Sequence, residues 1–305
     1  MLATKLRGAK NKLIVGVPVV KYRSFGSVAF LLLLASYIAG QTSSSPSKST
    51  APFAPLEQWK SAVISGNAAA LKAMYSSNPP AKVQTVSGDS STDADISFWT
   101  GLKARKIKLN VLESTSPQAG LQQVVFEAEV HSGAAADHVV YVTEGQLWQQ
   151  QGGGWKLVGT KRSDASKLEQ PTSTSKLIYT PGIDAHEEIK QALARAAKEH
   201  KNVLIVFGAN WCYDCHVLDL AFHRPDLAPV LQRNYEVVHV DIGEFNKNLD
   251  LMQQYNAPMQ KVPSLAVLND KGKLLYSQQG GEFSKARALA PEDILAFLNK
   301  WKPGA

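Results

Sequence analysis

Val203-Leu204-Ile205-Val206-Phe207-Gly208-Ala209-Asn210-Trp211-Cys212-Tyr213-Asp214-Cys215-His216 is the stretch that decides how the chain is read. An apolar run ends in a short polar turn, two cysteines follow with two residues between them, and Val217-Leu218 and Ala221-Phe222 continue at helical spacing. That order predicts a buried strand, a tight turn and a helix opened by Cys212. The first turn of a helix offers unpaired N–H groups and the positive end of the dipole, and both favour a thiolate. The thiolate is the attacking species in thiol chemistry. Cys215, one turn on, is within reach to resolve a mixed disulfide. The expectation is an exposed nucleophile at Cys212 and a more buried partner at Cys215.

These are the only cysteines in 305 residues. A bridge across so short a loop removes little chain entropy, so it makes a poor staple and a sensible redox couple. Three other readings stand beside this one. Cys-x-x-Cys-His is also a c-type haem attachment pattern, which needs a mostly helical domain and a distal ligand such as Met252 or Met259. A zinc site would need His216 and His223 at a spacing that fits no common pattern. The fourth reading is an idle pair.

Trp211-Cys212-Tyr213-Asp214-Cys215 after an apolar strand resembles the active site of the thioredoxin-like superfamily. The resemblance runs over residues 184–301, and Lys261-Val262-Pro263-Ser264-Leu265-Ala266-Val267-Leu268 matches that family's strand opened by a cis-proline. It implies that Cys212 and Cys215 form the redox-active disulfide. Trp211 then shapes the surface around the sulfurs. A cis Pro263 faces the cysteines, with the Val262 backbone free to pair with an extended substrate. A cis bond is costly and marks a constrained position. Two departures matter. Tyr213-Asp214 stands where thioredoxin has Gly-Pro, and the apolar Val206 stands where thioredoxin has a buried acid. His216 or Asp214 are the candidates to replace that acid. Asp214 disfavours the Cys212 thiolate, whereas a charged His216 favours it.

The rest of the chain is read outward from this unit. Lys5, Arg7, Lys10, Lys12, Lys21 and Arg23 precede the apolar run of residues 28–40, and the remainder of the net charge of +7 is small. The basic balance is therefore a property of the N-terminus, and no nucleic-acid partner is implied. Residues 1–40 read as a signal peptide or signal anchor, with cleavage favoured over retention. This gives an exported, periplasmic or extracytoplasmic protein, tethered to the membrane through residues 28–40 if uncleaved. Residues 41–55 form a Ser/Pro linker.

Residues 56–162 change from helical to alternating periodicity. One helix, or a helix pair broken near Gly66-Asn67, comes first, a short helix covers 93–105, and strands follow at 106–112, 125–130, 139–142, 145–148 and 155–158. Helices followed by antiparallel strands predict an α+β cone. The closing Leu147-Trp148 to Trp155-Lys156-Leu157-Val158 hairpin resembles the nuclear transport factor 2-like fold, which includes SnoaL-like domains. Asp89, Asp93, Asp95, His131 and His138 suit acid–base work only by type and read as surface or turn residues. Trp99, Trp148 and Trp155 read as core. Binding or dimerisation is the default role of this part.

Residues 163–178 are a polar linker. Residues 179–305 then give strand-helix-strand-helix and hairpin-helix, a thioredoxin-like α/β domain with a central mixed sheet flanked by helices. Asp184 caps its first helix, with Glu187 completing a capping box. The combined reading is an exported thiol–disulfide oxidoreductase with protein thiol or disulfide substrates and a membrane or exported redox partner. No metal or organic cofactor is implied. The alternative is a ligand-binding or scaffolding protein in which the α+β part works and the thioredoxin-like part is accessory.

Overall fold

A computed structural model of the chain describes residues 47–48, 53–133 and 138–304. The segment read as an export signal lies outside the described residues. Among those residues, no helix is long and apolar enough to cross a membrane.

Among the described residues, the N-terminal half is built from three helices and a seven-stranded sheet. Of the two readings, one helix or a broken pair, the structure has the pair, α1 (Ala54–Ile64) and α2 (Ala68–Met74). Pro55 starts the first, Leu56, Trp59, Ala62 and Val63 form its buried stripe, and Gly66 at φ +63° turns the chain. Asn67 then caps α2 by accepting from the Ala70 N–H at 2.9 Å. Strands β2 (Lys82–Thr85) and β3 (Gly88–Ser90) are a short hairpin that alternation did not reveal. Ser91 caps α3 (Thr92–Gly101) in the same way, accepting from the Ala94 N–H at 3.1 Å.

Strands β4 (Ala104–Ser116), β5 (Leu121–Ser132), β6 (Val139–Gln151) and β7 (Gly154–Arg162) form an antiparallel meander. The sheet order is β1-β4-β5-β6-β7-β2-β3, where β1 is Ser47–Lys48, and β2 joins β7 in parallel. Two register shifts in β4 against β5 bend the sheet around the helices. The strands expected at 139–142 and 145–148 are one strand. Thr143 and Glu144 interrupt the apolar pattern but not the ladder, because Glu144 points inward and finds partners there.

Trp59, Trp99, Phe126 and Trp148 fill the interior, with Trp59 and Trp99 edge-to-face at 4.8 Å. Beside them lies a buried polar network. Asp95 accepts from Tyr75 Oη at 2.7 Å, Arg162 Nε at 2.6 Å and Thr160 Oγ1 at 3.3 Å. Glu144 accepts from Trp99 Nε1 at 2.8 Å and from Gln146 Nε2 at 2.7 Å. Burial, then the nearby Asp95, raises the Glu144 carboxyl well above its ordinary value. Asp95, expected on the surface, is thus wholly buried.

The C-terminal half holds a four-stranded mixed sheet of order β11-β10-β8-β9. Strand β8 (Asn202–Gly208) is buried at all seven positions, as an apolar run between two helical layers should be. It pairs in parallel with β9 (Tyr235–Asp241) and antiparallel with β10 (Ser264–Leu268), which makes a hairpin with β11 (Leu274–Ser277). The period of two splits β8 between two cores. Ile205 and Phe207 meet Ile189 and Ala192 of α4 (Ala185–Glu199) together with Met252 of α7 (Leu249–Gln254). Leu204 and Val206 meet Val217 and Leu218 of α5 (Tyr213–Phe222), Leu231 of α6 (Ala228–Asn234) and Ile294 of α8 (Pro291–Lys300). Burying one such side chain contributes about 1.5–3 kcal/mol.

Asp184 does cap α4, accepting from the His186 and Glu187 N–H groups. The capping box is not completed, because Glu187 turns instead to Lys190 and Gln191. The helix expected to restart at Arg224-Pro225 begins only at Ala228. Residues 163–178 are polar in composition, yet Leu168 is fully buried in the second of these cores. Tyr141 and Ser166 exchange backbone hydrogen bonds at 2.7 and 2.9 Å, so this stretch is tied to both halves.

Candidate active site at the start of α5

Strand β8 leads into Ala209-Asn210-Trp211, and the chain turns into α5 with Cys212 as its N-cap. Cys212 and Cys215 form a disulfide. The Cys215 N–H points at Cys212 Sγ at 3.2 Å, so the first turn presents a backbone donor to the sulfur, as expected at a helix start.

Pro263 is cis and buried, immediately before β10. Val262 packs with Ile178 and Tyr179 against the two cysteines. The structure therefore brings Cys212, Cys215 and the 262–263 segment together. Trp211 lies beside the disulfide, 38 % exposed, with Nε1 donating to the Gly243 carbonyl at 2.8 Å and its ring 5.6 Å from that of Phe245.

One expectation is corrected here. Cys212 is only 5 % exposed against 2 % for Cys215, so it is not an exposed sulfur in the disulfide form. The cover comes from Ile178 and Val262, residues far from Cys212 in sequence. Asn210 holds that cover in place. Its Oδ1 accepts from the Ile178 and Tyr179 N–H groups, both at 2.9 Å, and its Nδ2 donates to the Tyr179 carbonyl at 2.8 Å.

The residues between the cysteines are engaged as well. Asp214 accepts two side-chain bonds from Arg287, Nε at 3.0 Å and Nη2 at 2.6 Å, and a third from the Arg287 N–H at 3.0 Å. A neutralised Asp214 opposes a neighbouring thiolate far less than a bare carboxylate does. The Tyr213 hydroxyl donates to Gln170 Oε1 at 3.1 Å, and burial pushes its pKa up to about 12. The Gln170 N–H in turn donates to Glu127 of β5 at 3.3 Å. Burial, then the charge of Glu169, raises the Glu127 carboxyl to about 7.

Neither histidine of the zinc reading turns to the sulfurs. His216 Nε2 is 2.8 Å from the Asn210 carbonyl, and His223 Nδ1 is 2.7 Å from the Asp219 carbonyl. No cluster of three or more His, Cys, Asp or Glu side chains is placed to hold a metal among the described residues. The mixed sheet is also not the helical domain that the haem reading required.

Val206 is 2 % exposed and lies in an apolar core, so no acid stands on β8 beneath the disulfide. Tyr179 is there instead, 1 % exposed. Sequence reasoning missed Tyr179, Asn210 and Arg287, and nothing in their local pattern marks them.

Residues 184–270 match the family model for thioredoxin-like proteins. Residues 184–270 are a thioredoxin-like domain. A crystal structure of a disulphide isomerase from Xylella fastidiosa shares 37 % identity, covers 41 % of this chain and 97 % of its own, and has a TM-score of 0.40. The thiol:disulfide interchange protein DsbD 2 of Pseudomonas aeruginosa is 29 % identical over 135 residues, which is 40 % of this chain. The chain spans about a fifth of the length of that curated relative. An NTF2-like protein from Rhodospirillum rubrum matches 36 % of this chain and 93 % of its own at 20 % identity, with a TM-score of 0.30. The thioredoxin-like domain thus carries both cysteines, inside the matched residues, and the cis-proline.

Proposed function

We propose that the chain is an exported thiol–disulfide oxidoreductase that cycles Cys212 and Cys215 between disulfide and dithiol on protein substrates. The observation that carries the reading is the pairing of the two cysteines at the first turn of α5, packed against Val262 beside the cis Pro263. In the reducing direction the Cys212 thiolate attacks a substrate disulfide, one substrate sulfur leaves as a thiolate, and Cys215 then displaces the second to restore the Cys212–Cys215 bond. Trp211 shapes the surface at the sulfurs, and the Val262 backbone pairs with the substrate chain. Electrons come from, or go to, a second protein at a membrane or in the exported compartment.

The division of labour follows the two sheets. Residues 179–305 perform the exchange, and residues 56–162 position the enzyme or recruit a partner, a second copy included. The signal or anchor of residues 1–40 and the linkers at 41–55 and 163–178 complete the arrangement. The rival reading, a ligand held by the α+β part, gains nothing from that part's interior, which Trp59, Trp99, Phe126 and Trp148 occupy.

A glutathione titration of the full chain with thiol trapping tests the proposal. A midpoint near −270 mV fits a reductase and one near −120 mV an oxidant that donates disulfides. No exchange over that range refutes the function.

A further inference from the structure

We propose that the Tyr179 hydroxyl hydrogen-bonds the Cys215 sulfur when the disulfide opens, and so stabilises the released thiolate at a place where β8 carries no acid. The inference rests on the oxidoreductase reading and assigns a further residue to it.

Two independent observations support it. First, the hydroxyl is buried and has no hydrogen-bond partner among the described residues. A buried, unpaired phenol costs about 1–3 kcal/mol, so it calls for a partner in some state of the protein. Second, its position is specific. A Cβ built on Gly208 would lie 2.1 Å from Tyr179 Oη and 2.7 Å from Cys215 Sγ. Both atoms border the one small space that glycine leaves open at the end of β8.

The other groups facing this space do not compete for the role. Val206 is apolar and lies in the core under α5. The His239 ring stands edge-on to the Tyr179 ring at 5.4 Å, and burial lowers its pKa, which keeps it neutral at pH 7. Asp219 is held by Lys176 at 2.9 Å, and Asp241 by Lys247 at 3.0 Å. Burial first, then Asp219 and Asp241, raises the Tyr179 pKa, so the phenol keeps its proton and acts as a donor.

The balanced step is as follows. A glutathione thiolate attacks Cys212 Sγ, the Cys212–Cys215 bond breaks, and its electron pair leaves on Cys215 Sγ. The Tyr179 O–H turns to that sulfur and donates to it without giving up its proton. A second glutathione thiolate attacks the mixed disulfide, glutathione disulfide leaves, and Cys212 takes the second electron pair. A disulfide sulfur is a weak acceptor and a thiolate a strong one, so the bond favours the open form.

The test is Tyr179→Phe in the full chain, which keeps the ring and removes the donor. Both proteins are equilibrated with glutathione buffers, trapped with a maleimide, and unfolded in urea in each redox state. We expect Tyr179→Phe to shift the equilibrium about tenfold toward the disulfide, about 30 mV to lower potential. The oxidised variant should unfold at the wild-type urea concentration or above it, and the reduced variant below it. A packing role would lower both forms alike and leave the equilibrium unmoved. Equal equilibria within twofold, or an oxidised variant that is destabilised or does not fold, would overturn the proposal. A wild-type chain that does not exchange would refute the oxidoreductase reading itself, a different and separately visible result.

Discussion

Gly208→Ala adds one methyl group where the candidate site has no room for it. Gly208 ends β8 with an ordinary backbone conformation, so glycine is needed there for space and not for its freedom at positive φ. An added Cβ would lie 2.1 Å from Tyr179 Oη, 2.6 Å from Tyr179 Cζ and 2.7 Å from Cys215 Sγ. Neither neighbour can step aside cheaply. Asn210 pins the Ile178–Tyr179 backbone through three hydrogen bonds, two of them to Tyr179, and Cys215 is tied to Cys212. Overpacking a core costs about 1–3 kcal/mol, and three overlaps against held groups place this change at the upper end, about 3 kcal/mol. Urea unfolding of the oxidised chain, followed by near-ultraviolet circular dichroism, reads that loss. The double variant Gly208→Ala/Tyr179→Leu removes two of the three overlapping atoms and should show a favourable coupling of about 1 kcal/mol. A Gly208→Ala protein within about 0.5 kcal/mol of wild type would refute the packing described around the disulfide.

Glu127 gives the N-terminal half a pH signature. Its carboxyl titrates near 7 in the fold against 4.5 when unfolded, so the native state holds the proton longer. Stability should fall as pH rises between those values and level off above 7, by about 3 kcal/mol in all. Glu127→Gln should flatten that part of the urea-midpoint profile, and an unchanged slope would contradict the assignment. Arg287→Gln leaves Asp214 unpaired two residues from Cys212, so alkylation of the reduced Cys212 by iodoacetamide at pH 7 should slow by about tenfold. An unchanged rate would mean that Asp214 exerts no effect on the sulfur. Asp95→Ala leaves the Arg162 guanidinium buried without its carboxylate and should cost about 3–5 kcal/mol in urea unfolding. A loss below about 1 kcal/mol would show that the network around Asp95 is not maintained in solution.

The parts of the site that follow one another along the chain were legible in sequence. The strand–turn–helix around Cys212 and the strand opened by Pro263 are local patterns, and Asp184 announces α4 through a side chain that caps its own neighbours. The parts that depend on distant residues were not. Cys212 is buried because Ile178 and Val262 arrive from opposite sides of the sequence. Tyr179 read as a lead-in to the domain, since nothing in residues 178–182 shows that the ring ends beneath the disulfide. Arg287 sits 73 residues from the Asp214 that it neutralises. Periodicity failed in a similar way. Glu144 looks like the end of a strand, and Asp95 like a surface acid, until Trp99, Gln146, Tyr75 and Arg162 are brought around them.

The central claim is that Cys212 exchanges with a substrate disulfide and Cys215 resolves the product. Trapping tests it most directly. Reduced full-length Cys215→Ala and Cys212→Ser are each mixed with glutathione disulfide at neutral pH, quenched in acid and weighed by mass spectrometry. The account predicts that Cys215→Ala accumulates a glutathione adduct on Cys212, while Cys212→Ser stays essentially unmodified over the same time and the wild type passes through the adduct to the internal disulfide. Equal labelling of both variants, or an adduct only on Cys215, would contradict it.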